Sequence, residues 1–220
     1  MDRRQVNKRM LQLLSGFLLV DTALGTKSLS AAVKPIITDW ATELNTHCLD
    51  LYSDRISQQI WQQQVAQLFN HIPLSDIVAY IDFEKLKKGI ELPDLGVNAR
   101  TIPFPEIDEL PKTVYFQKIF GLKKDRAIIP HGHSNMVSSH VVLQGDFHLR
   151  HYDKINQEGE FLTIQPSQER IIHAGDHSSI SDSIDNIHWF IAKSHAAYTF
   201  DVILINLNEE AYDIHNLDMD

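Results

Sequence analysis

Five of the chain's 12 histidines lie between residues 128 and 153, in the stretch IIPHGHSNMVSSHVVLQGDFHLRHYD. His131 and His133 are two positions apart. In an extended strand such a pair points to one face, so both rings can turn toward a single atom. Neutral imidazole binds zinc, iron, copper or nickel, so the chemistry in view is that of a transition-metal site. The competing reading is a satisfied cluster of core histidines. The sole cysteine, Cys48, rules out an intramolecular disulfide and a cysteine-rich metal cage. Asp201 is the notable lone acid. It sits between Thr199 and Ile203 on a strand-like run that is apolar on both faces. A carboxylate buried there needs a partner, such as a metal-bound water or the ring of a ligating histidine.

Helices come first along the chain, and strands follow. Trp40, Leu44, Cys48 and Leu51 fall on one helical face after Pro35. Ile56, Ile60, Trp61, Val65, Leu68, Phe69 and Ile72 mark a second helix that Pro73 ends. Ser75 to Leu86 reads as a third. These stripes are core packing and carry no visible chemistry. Between residues 91 and 113 the prolines 93, 103, 105 and 111 predict a linker. Beyond it, apolar runs at 114–120, 126–130, 139–149, 161–164, 187–192 and 198–207 are rich in β-branched and aromatic residues, which favours strands. The expectation is a helical segment over 35–90, then a small antiparallel barrel or double-sheet jelly roll over 114–210, with a tail over 211–220.

The chain has 220 residues with 43% hydrophobic content, enough for a packed core. Its 29 acidic against 20 basic residues give a formal charge of −9, which argues against a nucleic-acid partner. The N-terminus joins a basic head containing Arg3-Arg4 to an apolar run and a small-residue tail, the three parts of an export signal. The arginine pair is similar to a twin-arginine signal over residues 1–32, although Asp2, Val6, Asn7 and Asp21 depart from that pattern. The expected location is periplasmic or exported, with a cytoplasmic protein as the alternative. No segment approaches the ~20 continuous apolar residues of a membrane span.

The His-x-His pair, Gly145, the Gly175-Asp176 turn and His188 in DNIHWFIA together resemble the two motifs of the cupin superfamily over residues 114 to 207. That resemblance implies a mainly β, double-stranded β-helix barrel with a metal in its mouth. Where cupins commonly carry a ligating Glu, this chain has Ser138. His140 shares the inward parity of Ser138 and is expected beside the metal rather than on it. Pro130, His131, His133, Met136, Gly145, His148, Arg150, Tyr152 and Asp153 are similar to a pattern of the plant cysteine oxidases and the animal cysteamine dioxygenase. So are Asn186, Ile187, His188 and Phe190, followed by Asp201-Val202. The resemblance implies one Fe(II) held by His131, His133 and His188, with Asp201 close to it. It also implies a small-molecule or peptide thiol and O2 as the reactants and a sulfinic acid as the product. The family's pocket tyrosine is missing, since Leu204-Ile205-Asn206-Leu207 stands in its place.

Elementary chemistry supports part of that implication. Three neutral imidazoles leave the full +2 charge on a metal, and such a centre favours an anionic ligand such as a thiolate. The same donors suit zinc with a bound water, and manganese or nickel also remain open. The alternatives are therefore a zinc or manganese hydrolase or isomerase, and a non-catalytic binder of metal or small molecules. His148 and His151 read as surface or hydrogen-bonding residues. His173, His177 and His195 fall in expected turns and are assigned no role.

Overall fold

The computed structural model describes residues 33–102, 113–159 and 161–217. The expected export signal over 1–32 lies outside the described residues. Four helices come first: α1 (Val33–Tyr52), α2 (Gln58–His71), α3 (Leu74–Tyr80) and α4 (Phe83–Lys88). Ser57 caps α2, its hydroxyl accepting from the Ile60 amide at 3.2 Å. The stretch expected as one helix from Ser75 to Leu86 is instead two, because Asp82 adopts a left-handed conformation (φ 48°) between α3 and α4. No described helix is long and apolar enough to cross a membrane.

The strands are β1 (Asn98–Ile102), β2 (Phe116–Lys123), β3 (Ala127–Ser134), β4 (Met136–Gln144), β5 (Phe147–Glu158), β6 (Phe161–Ile172), β7 (His177–Ile180), β8 (Ile187–Ala192), β9 (Ala196–Ile205) and β10 (Asp213–Asn216). They form two antiparallel sheets, ordered β1-β2-β9-β4-β7 and β10-β3-β8-β5-β6. Without the outer strands β1 and β10, the eight remaining strands run first-eighth-third-sixth in one sheet and second-seventh-fourth-fifth in the other. That alternation is the jelly roll, a double-stranded β-helix. The chain is therefore mainly β with an N-terminal helical segment, as expected.

Several boundaries needed correction. β1 lies inside the stretch read as a linker, and it pairs with β2 from Asn98–Gly121 to Ile102–Gln117. β10 lies in the expected tail and pairs with β3. The run 139–149 is two strands, parted by Gly145 at φ +79°, where a Cβ would stand 2.7 Å from the Ala196 carbonyl oxygen. His177 opens β7 rather than lying in a turn.

One sheet carries cores on both of its faces. On β4, Val137, Val141 and Leu143 pack toward the helices with Trp40, Leu44, Trp61 and Phe69. The alternate residues Met136 and Val142 pack inward with Phe147, Leu149 and Phe190 of the opposite sheet. On β9, Phe200, Val202 and Leu204 face the helices, while Ala197 and Ile203 face inward. The period of two sorts the sequence between these layers. It also explains why β4 and β9 are apolar on both faces, and why polar residues of inward parity are conspicuous there.

Candidate metal centre

β3 presents two histidines because of a local irregularity. Its register with β8 passes from Ile128–Phe190 to His131–His188, so β3 holds one extra residue across that interval. Pro130 lies within the bulge, where its missing N–H costs no ladder bond. The Nδ1 of His131 donates to the Ile129 carbonyl at 2.8 Å, which fixes the ring and leaves the Nε2 lone pair for a ligand.

Gly132 lets β3 approach Asn186. A Cβ there would stand 2.6 Å from the Asn186 side-chain oxygen. That side chain accepts from the His133 amide at 3.2 Å and donates to the His133 carbonyl at 2.8 Å and the Ser181 carbonyl at 2.9 Å. One amide thus clamps the residue between the two histidines to the loop that leads into His188.

His188 on β8 stands directly opposite His131. The ring centroids are 4.1 Å apart for His131 and His188, 4.8 Å for His131 and His133, and 5.1 Å for His133 and His188. One ligand nitrogen from each lies within 4.8 Å of the others, so the three could hold a metal ion. The structure thus brings the three expected ligands together. Burial pushes His131 down to about 4 and holds His133 and His188 well below the usual imidazole range. All three are therefore neutral near pH 7, the form that binds metal.

Asp201 and His140 occupy the facing sheet. They are directly opposite each other on β9 and β4, and the His140 Nδ1 lies 2.5 Å from an Asp201 carboxylate oxygen. Both are buried. The partner that a buried Asp201 requires is thus His140, rather than a ligating ring. The His140 ring centre is 5.6 Å from that of His188 and 5.1 Å from that of Phe190. Ser138 also faces this space.

These residues line a cavity of about 90 Å³, walled by Phe116, Phe120, Ile203 and Ile205 among others. Within it, His133 Nδ1, Ser138 Oγ, His140 Nε2 and the second Asp201 oxygen are buried without a hydrogen-bond partner among the described residues. Buried polar atoms are normally satisfied, so a cluster of unsatisfied ones facing a cavity marks a place for a ligand.

Of the two expectations for His151, a surface or a hydrogen-bonding residue, burial excludes the first. His151 is 0% exposed, stands opposite His188 on β5, and its Nδ1 is 3.4 Å from an Asp185 oxygen. Burial lowers its pKa against the opposing pull of Asp185. His148 is as expected, bonded to Glu169 at 2.9 Å. His173 bonds Asp146 at 2.7 Å and His177 bonds Asn70 at 3.0 Å, both away from the cavity. Sequence reading missed Lys118, which also lines the cavity. Its signal was available, since Lys118 alternates with Phe116 and Phe120 on a strand.

No protein-family model matches the sequence, and neither does any curated protein. Among solved structures, the chain is similar to oxalate oxidase at 15% identity and TM-score 0.39, over 57% of each chain. It is similar to a protein with a double-stranded β-helix domain from Klebsiella pneumoniae at 9% identity and TM-score 0.40, over 60% of this chain and 89% of that one. It is also similar to KdgF from Halomonas sp. at 12% identity and TM-score 0.38, over 56% of this chain and 92% of that one. These neighbours are double-stranded β-helix cupins. The likeness spans little more than half of oxalate oxidase. The barrel assignment itself rests on the strand order. The similarity to the cysteine oxidases rests on the sequence motifs.

Proposed function

We propose that the chain is a mononuclear Fe(II) enzyme that oxidises a thiol with dioxygen to a sulfinic acid. The observation that carries this reading is the donor set: three buried neutral imidazoles converge, and no carboxylate joins them among the described residues. His131 and His133 from β3 and His188 from β8 would hold the ion. Their Nδ1 atoms are engaged by backbone carbonyls at His131 and His188, so Nε2 is the donor on those two. When bound, Fe(II) supplies open positions for a thiolate and dioxygen and the electron transfer between them. The uncancelled +2 charge favours the thiolate over the thiol.

The chain's own residues then have defined tasks. His140 takes the thiol proton at Nε2, the nitrogen that Asp201 leaves unengaged. Asp201 positions that ring through its Nδ1. The apolar walls exclude water from the sulfur. Both oxygen atoms of O2 join the sulfur, which is oxidised by four electrons as O2 is reduced by four, and the proton leaves to solvent from His140.

The test is oxygen uptake by the Fe(II)-loaded chain with a panel of small thiols and peptides with N-terminal cysteine, with mass analysis of the product. Consumption of one O2 per thiol and a product heavier by two oxygen atoms is expected. Absence of uptake with every thiol, from a chain that holds stoichiometric iron, would exclude the reading. Three imidazoles also suit zinc with a bound water. Metal analysis of protein purified without chelators separates that hydrolytic reading from this one.

A further inference from the structure

Among the described residues lining the cavity, Lys118 carries the only fixed positive charge. On β2 it stands directly opposite Asp201 on β9, which stands opposite His140 on β4. Directly opposed residues of antiparallel strands project to the same face. Lys118, Asp201 and His140 therefore form one row across three adjacent strands, facing the three metal-site histidines.

Along its own strand this lysine has aromatic neighbours. Phe116 and Phe120 flank it on the inward face of β2, and its ammonium lies 5.4 Å from the centre of the Phe116 ring. It makes no hydrogen bond or salt bridge among the described residues. Asp201, its cross-strand neighbour, directs an oxygen to His140 instead. Burial lowers the Lys118 pKa while the nearby Asp201 charge works against that shift. A charge placed against aromatic walls is costly unless an anion joins it. In the row that cation stands one strand beyond Asp201 and two strands beyond His140.

We infer that Lys118 fixes the anionic end of the ligand, so that the pocket selects small thiols bearing a carboxylate over neutral and amine-bearing thiols. This rests on the thiol reading of the metal centre. A carboxylate thiol of few heavy atoms matches a cavity of about 90 Å³. Its sulfur lies toward His131, His133 and His188, and its carboxylate toward Lys118.

The experiment measures thiol binding rather than turnover. The full chain is loaded with Co(II), and the absorption of the cobalt centre is titrated with mercaptopropionate, mercaptoethanol and cysteamine. Mercaptopropionate is expected to bind tightest and cysteamine weakest. The anionic thiol should exceed the neutral one by about ten- to a hundredfold in Kd, the value of one charge-assisted hydrogen bond. Lys118→Met keeps the aliphatic stem and should bring mercaptopropionate to the level of mercaptoethanol, with mercaptoethanol itself shifted by less than about twofold and cobalt content unchanged. Lys118→Glu should reverse the order in favour of cysteamine.

Equal Kd values for the three thiols in the wild-type chain would overturn the inference, as would no thiol binding at all. A Lys118→Met chain that weakens all three alike would also overturn it, since that pattern belongs to a lysine that only balances Asp201. The oxidation reading fails separately. If thiols bind in the expected order but the Fe(II)-loaded chain consumes no O2, Lys118 keeps its role and the proposed reaction is lost.

Discussion

At the scale of single residues, Ser138 and Asp201 decide what kind of metal chemistry the cavity can support. Ser138 lines the cavity with its hydroxyl unpartnered, at the position where cupins commonly have a ligating Glu. Ser138→Glu should add a hard oxygen donor and cancel one positive charge. Metal should then be held about tenfold or more tightly, read by chelator competition, while thiol-dependent O2 uptake falls by at least about tenfold. Wild-type oxidation with unchanged metal affinity would mean that Ser138 does not face the ion. Asp201→Asn tests a different contact. It leaves the metal ligands intact but weakens the contact that holds the His140 ring at its Nδ1. Metal content should stay at the wild-type level and kcat should drop roughly ten- to a hundredfold, because the ring loses the carboxylate that orients it. A variant with unchanged kcat would remove the pair from the mechanism.

At the scale of elements, the site depends on how β3 is bent and pinned. The bulge at Ile128–His131 and the clamp from Asn186 bring three rings from two strands to one point. Gly132→Ala would place a methyl group 2.6 Å from the Asn186 oxygen, so one of the two must move. The expected result is a loss of about 1–3 kcal/mol in unfolding free energy, as for other overpacked sites. A drop of about ten- to a hundredfold in metal affinity should accompany it. Denaturant titration and chelator competition would read the two effects, and no change in either would deny the clamp.

The sequence made part of this geometry legible. His131 and His133 could be paired from strand parity alone, and the histidine-rich motifs pointed to His188. The bulge could not be read, because register depends on the partner strand and Ile128 and Pro130 look the same in or out of register. The burial of His151 was not legible for a related reason. β5 extends from Phe147 to Glu158, and His151 shares the buried face of Phe147 and Leu149, opposite His188 of β8. β1 and β10 were missed because short strands beside prolines and polar residues carry little periodic signal, and their pairing with β2 and β3 supplies what the local sequence lacks.

At the scale of the whole molecule, the helices and the second sheet bury the inner sheet from both sides, and the metal-site histidines are buried with it. That burial has a pH consequence. His131 titrates near pH 4 in the folded chain and near 6.5 once unfolded, and His133 and His188 are shifted in the same direction. Between those values the unfolded chain binds more protons, so stability rises with pH. The contribution is therefore present above about pH 6.5 and lost as pH falls toward 4, on the order of 3 kcal/mol for His131 alone. Urea unfolding of the metal-free chain should show a declining midpoint across that window. The decline should be smaller in His131→Phe, and a wild-type midpoint flat from pH 7 to about 4 would contradict the burial argument.

The most direct measurement on the centre itself is metal stoichiometry by elemental analysis, comparing the wild-type chain with His131→Ala, His133→Ala and His188→Ala, each checked for folding by circular dichroism. The three-histidine site predicts one metal ion per wild-type chain, lost from each folded variant. A wild-type chain that folds without stoichiometric metal, or a variant that keeps it in full, would contradict the account.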